Sequence, residues 1–250
     1  MDFLAEIRRA ELQGIARHLP AHARVLEVGA GTGEQSKALM EMGYDVVPIE
    51  IQSSNYANAR VAPVIDYDGN TFPVPDHSIG VVFSSNVLEH VADLGRMHAE
   101  IRRVLAPRGY CIHVMPTPAW RFWCTLASFG VALRSFVELA PQLLPRSWVR
   151  EEPARLAKAW DTMIRRCGRY CLPRRHGERG NTITELYYFS PHWWRRNFAN
   201  NGYELLHEEP MGLFYSGNYL MWRLFPLSKR GRMARYLGSA TRLYKVRPLP

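Results

Sequence analysis

The sequence predicts an α/β fold: a doubly wound parallel sheet with helices on both faces. Short apolar runs at Arg24–Val28, Tyr44–Glu50, Ala62–Tyr67, Ile79–Ser84 and Tyr110–Met115 alternate with stretches of helical periodicity. Ile79–Ser84 reads as one continuous apolar run, as a parallel strand covered on both sides requires. The first strand ends on an acid, Glu27, and runs into glycines 29, 31 and 33 before the next helical stretch. Such a strand–glycine loop–helix turn brings backbone against a ligand where any Cβ would clash, and aims helix N–H groups at it.

The elements follow in order. Leu4, Ile7, Leu12, Ile15 and Leu19 stand at helical spacings and predict a lead-in helix over residues 3–19. Gln35–Met42 is the next helix, with Gly43 as its stop. After the fourth strand, Leu94, Met97, Ile101 and Leu105 recur at steps of three and four until Pro107 and Gly109 interrupt them. The alternation breaks at Ala119 and resumes at Ser190-Pro191, a serine N-cap with proline in the first turn. Trp194 and Phe198 share the buried face of that helix, and Asn201-Gly202 ends it. Tyr203–Glu208 is read as a sixth strand and Leu213–Leu224 as a seventh. The predicted organisation is a core of residues 1–118 and 190–225, a helical, aromatic insertion over 119–189, and a basic tail over 226–250.

At 250 residues with 47% apolar content, the chain can bury a large core. Its net charge of +9 is unevenly placed: Lys229, Arg230, Arg232, Arg235, Arg242, Lys245 and Arg247 follow Pro226 with no acid among them. Such a segment attracts polyanions, anionic lipid headgroups included. Four cysteines make no disulfide framework. Cys167, Cys171 and His176 are too loosely spaced for a metal clip, so no metal is expected. The first residues lack the layout of a signal peptide, which predicts a cytoplasmic protein, with the basic tail offering contact at the inner membrane face.

The glycine loop, Glu27-Val-Gly-Ala-Gly-Thr-Gly33, resembles the cofactor loop of the class I S-adenosylmethionine-dependent methyltransferases, acid-x-Gly-x-Gly-x-Gly. A dinucleotide fingerprint would want a third glycine where Glu34 stands, and a carboxylate there repels a pyrophosphate. Asp68-Gly-Asn-Thr-Phe-Pro-Val-Pro-Asp76 is similar to the family's Asp-Ala-x-x-Leu-Pro-Phe-x-Asp, and Ser84-Ser-Asn-Val-Leu-Glu-His-Val91 to its fourth-strand exit. Where the family starts the fourth strand with Phe-Asp, this chain has Ile79-Gly80. The resemblance implies a Rossmann-like seven-stranded sheet, mostly parallel with one antiparallel strand, and S-adenosyl-L-methionine as cofactor. It places Glu27, Gly29, Ala30, Gly31, Gly33, Glu50, Ile51, Asp68, Gly69, Ser85 and Asn86 along that cofactor. Glu50, about 20 residues past the loop, is positioned to accept both ribose hydroxyls. Asp68 is preferred over Asp66 for the adenine amino group because its spacing to Pro73 fits.

Methyl transfer needs alignment and desolvation of a nucleophile more than it needs a particular side chain. The core motifs therefore leave the acceptor open among small molecules, glycans and lipid-linked compounds. The insertion carries Trp120, Phe122, Trp123, Phe129, Phe136 and Trp148, and its apolar stretch Phe122–Leu133 is too short to span a bilayer. It reads as a helix pair over the pocket or a segment lying in the membrane interface. His176, in a polar glycine-spaced turn, and His90, at the fourth-strand exit, are the candidate general bases, with Tyr215 a third. A non-catalytic, membrane-associated binding protein on the same fold is the alternative. Nucleic acid is not expected as a partner, since no Asn-Pro-Pro-Tyr-type tetrapeptide follows the fourth strand.

Overall fold

The structure is a computed structural model. It describes residues 3–143, 152–171, 174–217 and 225–250. Trp148 and residues 218–224 of the anticipated seventh strand lie outside the described residues.

Seven strands form one sheet: β1 (Arg24–Val28), β2 (Asp45–Ile51), β3 (Ile65–Tyr67), β4 (Ile79–Ser85), β5 (Leu105–Pro116), β6 (Tyr203–Pro210) and β7 (Thr241–Pro248). Their order is β3-β2-β1-β4-β5-β7-β6. The β1–β2, β1–β4, β2–β3 and β4–β5 pairs are parallel, while β7 runs antiparallel to both neighbours. The expected architecture, mostly parallel with a single reversed strand, is the observed one.

Alternation along the strands assigns each side chain to one of two apolar layers. Leu26, Val28, Val82, Cys111 and Met115 face one cluster, which α3 (Leu94–Val104) and α7 (Pro191–Asn200) close with Met97, Ile101, Trp194 and Phe198. Val25, Val81, Phe83, Ile112 and Val114 face the other, closed by Leu12 and Ile15 of α1 (Phe3–Ala16) and Leu39 of α2 (Glu34–Glu41). The Ser190 side chain accepts the Trp193 N–H and caps α7 as its sequence requires. Helix α3 stops at Val104, and Leu105 opens β5 instead of extending the helix. Pro107 sets the limit, because it drives Ala106 out of the helical region and cannot continue the helix itself, and Leu105 already has extended φ and ψ.

Two anticipated elements are displaced. Among the described residues the seventh strand is Thr241–Pro248, and residues 213–216 of the anticipated strand run as irregular chain, with the Ala240 N–H donating to the Leu213 carbonyl. The segment read as a basic tail is therefore α8 (Leu227–Leu237) followed by an internal strand of the sheet. The cations of β7 are used by the fold. Arg242 pairs with Glu208 at 3.3 Å, Arg247 with Glu204 at 3.7 Å, and the Lys245 ammonium sits 4.0 Å from the centre of the Tyr110 ring.

The insertion is helical as expected: α4 (Pro118–Leu139), α5 (Glu152–Cys171) and the single turn α6 (Glu185–Tyr188). Helix α4 exceeds the short apolar stretch that the sequence suggested. With its terminal 3-10 turn, residues 118–143, it is long and apolar enough to cross a membrane. Its inner face carries buried Arg121, Cys124, Ser128, Ala132, Ser135 and Leu139.

Candidate active site

The carboxyl ends of β1, β2 and β4 open into a cleft of about 1040 Å³. Of the residues anticipated along a cofactor, Gly29, Ala30, Gly31, Glu50, Ile51, Gly69, Ser85 and Asn86 line it, and so does His90. The loop after β1 is drawn over β2 by two hydrogen bonds, from the Gly29 and Ala30 N–H groups to the Ile49 carbonyl (3.0 Å each). Gly29 has a φ of 74°, and a Cβ there would stand 2.4 Å from Val87 Cγ2. Gly31, also left-handed at 58°, differs in what surrounds it. A Cβ on it would meet only the Tyr56 ring, at 3.7 Å, so a larger group would extend into the cleft. Glycine at 31 thus keeps the space that a ligand needs.

Glu50 closes this turn from the β2 side. Its Oε2 accepts the Gly31 N–H at 2.7 Å and its Oε1 the Ile51 N–H at 3.0 Å. Both oxygens keep lone pairs, as a carboxylate that accepts ribose hydroxyls requires. Gln35, in the first turn of α2, lines the cleft with its Nε2 buried and unpartnered, a donor available to a bound molecule.

Three anticipated residues stand outside the cleft wall. Glu27 is buried beneath the loop against the Ser36 hydroxyl, and burial pushes its pKa up to about 7. Its place under the turn makes it a support for the loop. Gly33, at φ 81°, is the N-cap of α2, and a Cβ there would press at 3.1 Å on Ala62 and Val64. Asp68 is exposed and folds back on its own turn, with Oδ1 accepting the Asn70 (2.8 Å) and Thr71 (2.9 Å) N–H groups. This Asx-type turn presents Gly69 to the cleft and leaves the Asp68 carboxylate outside. The competitor, Asp66, is bound to Arg60 (3.1 Å).

Sequence reasoning overlooked Arg8. From α1 it reaches the cleft, donating to Glu11 (3.0 Å) and to the Ser85 hydroxyl (3.3 Å). With the Asn86 amide oriented to satisfy its neighbours, its oxygen accepts from Arg8 Nη1 at 2.6 Å. The pairing of a cation three residues before an acid on a lead-in helix was the available signal. Tyr215 lies in the same network, its hydroxyl donating to Glu11 at 3.0 Å, fully inside the fold and away from the cleft lining.

His90 and His176 are brought together although far apart in sequence. Their rings lie 4.7 Å apart, edge to face, with the Trp120 ring 4.6 Å from His176. Burial lowers the pKa of both, that of His176 to about 4, with His90 and Arg121 adding to the effect there. The loop bearing His176 is clamped from two sides. Glu185 Oε1 accepts the His176 (2.5 Å) and Gly177 (2.7 Å) N–H groups, and the Glu178 N–H donates to the Glu89 carbonyl (2.9 Å). Gly177 must be glycine for this approach, since a Cβ would lie 2.8 Å from the Glu89 oxygen.

Residues 26–113 match the family described as "Methyltransferase domain". Among curated proteins, the chain is 32% identical over 104 residues to an uncharacterized methyltransferase of Mycobacterium sp. strain KMS, covering 40% of this chain and 41% of that protein. It is 26% identical over 114 residues to a malonyl-[acyl-carrier protein] O-methyltransferase of Pectobacterium atrosepticum, covering 43% and 45%. Over residues 26–113, then, the chain is similar to the methyltransferase-domain family. The matched part spans less than half the length of these curated relatives. Solved methyltransferase structures share the whole fold. One from Mesorhizobium loti superposes with a TM-score of 0.53 at 16% identity, covering 95% of this chain and 97% of that one. Geranyl diphosphate C-methyltransferase from Streptomyces coelicolor gives 0.53 at 12% identity, covering 96% and 77%. The open glycine turn, the Glu50 carboxylate and the Gln35 donor, unpaired among the described residues, fit S-adenosylmethionine, the cofactor named for solved proteins that share this fold.

Proposed function

We propose that the protein transfers a methyl group from S-adenosylmethionine to a nucleophile presented at the Trp120–His176 end of the cleft. The observation that carries this reading is the juxtaposition of the cleft with that cluster, which His90 joins by lining one and stacking on the other. The cofactor supplies a methyl group on a cationic sulfur, activated for in-line displacement. Glu50, Ile51 and Gly69 would hold its nucleoside part, and Ser85, Asn86 and Arg8 its amino-acid part. Trp120 and Phe189 pack against His176 and offer an acceptor placed there an apolar wall that helps to align it. His90 or His176 serves as the proton acceptor for a hydroxyl substrate.

The exposed face of α4 supports a lipid-linked or long-chain acceptor. Phe122, Leu126, Phe129, Leu133 and Phe136 recur at steps of four and three, each roughly half-exposed or more. An apolar stripe of this kind suits contact with the surface of a membrane, the cytoplasmic face of which is the location we propose. The strand part of the basic segment is folded into the sheet, so the apolar support for membrane contact lies with α4.

A radiolabelled methyl-transfer assay against fractionated lipid, glycan and small-molecule extracts tests the reading. Label entering a lipid fraction is the expected result. Absence of transfer to any fraction, with cofactor binding intact, would count against catalysis.

A further inference from the structure

The groups around the His90–His176 pair include one with no evident role in binding S-adenosylmethionine. Glu89 is 3% exposed, and neither of its carboxylate oxygens has a hydrogen-bond partner. An unpaired carboxylate in that position is costly unless a cation or a proton answers it. Arg8 is the guanidinium whose charge reaches it, yet Arg8 donates from Nη1 to Glu11 and Ser85 and makes no hydrogen bond to Glu89 among the described residues. What does face Glu89 is a pair of imidazoles. Its Oε1 lies 3.8 Å from His90 Nε2 and 3.9 Å from His176 Nε2, too far for hydrogen bonds. All three donor atoms fall within 4.8 Å of one another. Two ligands about 2.1 Å from one tetrahedral ion stand roughly 3.4 Å apart, so small side-chain rotations would close the set.

We infer that Glu89, His90 and His176 form a binding site for a divalent transition-metal ion of the Zn²⁺ type at the acceptor end of the cleft. Two imidazoles and one carboxylate are the donors such ions take, and they leave coordination positions open. The arrangement is rigid where it must be and open where it must be. Glu89 is fixed from behind by the clamped 176–178 loop, while the side chains of His90 and His176 are 42% and 35% exposed and give the ion a way in. This inference rests on the proposed methyl transfer, to which it adds a specificity. With the ion in place the two imidazoles would act as ligands in place of bases, and an acceptor hydroxyl bound to the ion would lose its proton to solvent water near neutral pH, the electron pair of the broken O–H bond remaining on oxygen. Acceptors would then be alcohols or phenols.

Co²⁺ titrated into the chelator-stripped full chain, followed by visible absorption, provides the test, with calorimetric binding of S-adenosylhomocysteine measured in parallel. One equivalent of Co²⁺ should bind, displaceable by Zn²⁺. Glu89→Gln, which removes charge but no volume, and His176→Asn should each weaken it by at least about a hundredfold while the homocysteine product still binds. His207→Ala, in the separate His18–His207–Glu209 cluster, should leave Co²⁺ binding unchanged. Circular dichroism shows that each variant is folded, and should Glu89→Gln unfold, His90→Gln at the exposed position takes its place. Failure of the wild type to bind Co²⁺, survival of binding in the Glu89 and His176 variants, or its loss in His207→Ala would each overturn the site. Should the nucleoside product itself fail to bind, the methyl-transfer reading underneath falls instead.

Discussion

Arg121 Nε on α4 lies 2.9 Å from Glu185 Oε2 on α6, and both side chains are almost fully removed from solvent. The contact is ionic more than a well-aligned hydrogen bond, since Oε2 has no hydrogen-bond partner while Oε1 takes the His176 and Gly177 N–H groups. Arg121 completes its own set on the Arg174 carbonyl at 2.9 Å. One carboxylate therefore ties the insertion to the loop that carries His176.

Removing either charge should be strongly destabilising, because the other is left buried alone. Glu185→Ala is expected to lose about 3–5 kcal/mol in urea denaturation. The double variant Arg121→Met with Glu185→Leu should recover much of that stability but not the position of the loop, and with it not the activity.

Gly31→Arg fills the space reserved in front of the glycine turn without a clash in the core. The left-handed φ of 58° adds strain on the order of 1–2 kcal/mol, so circular dichroism checks that the variant is folded, and its affinity for S-adenosylhomocysteine should fall by at least about a hundredfold, or ~2.7 kcal/mol. Titration calorimetry checks this, and wild-type binding would show that the cleft is not the nucleoside site.

Glu27 makes a pH prediction. Its folded-state pKa is raised by burial from 4.5 to about 7, so between those values the folded state holds a proton that the unfolded chain has released. Stability from this group is fully present below about pH 4.5 and is lost as pH rises through 7, by on the order of 3 kcal/mol. The Glu27→Gln variant should lack this component. Subtracting its denaturation profile from that of the wild type between pH 4.5 and 8 isolates the term, and a flat difference would refute it.

Leu133→Asp, at a position 65% exposed on the outer face of α4, should change stability by less than about 0.5 kcal/mol. If α4 rests on lipid, the wild type should co-sediment with phosphatidylglycerol-containing vesicles and this variant should not. Equal behaviour of the two would remove the stripe as a membrane contact.

The parts of this molecule that were legible in the sequence are those specified by short-range chemistry. Ser190-Pro191 caps its helix, the glycines at 29, 31 and 33 turn the first loop, and parallel strands buried on both faces appear as apolar runs. What was not legible depends on distant pairing. In Thr241–Pro248 the cations Arg242, Lys245 and Arg247 hid the buried Leu243, Tyr244 and Val246, because their partners are Glu208, Tyr110 and Glu204 on other strands. The apolar content of 213–224 then offered a false substitute. Asp68 misled for a related reason: motif spacing located its loop, but its carboxylate was taken up by N–H groups two and three residues on. Arg8 stood beside Glu11 as a cation–acid pair on the lead-in helix, but its place at the cleft was not legible because only the fold carries α1 there.

The position of β7 between β5 and β6 has a consequence during synthesis. Until residues 241–248 have left the ribosome, β6 has no neighbour to bond with and β5 ends in a row of unanswered amides and carbonyls. The nascent chain must carry two open sheet edges through most of its translation, a state prone to pairing with other polypeptides. Chaperone dependence during expression, and insolubility of any product ending before Thr241, follow from that order of assembly.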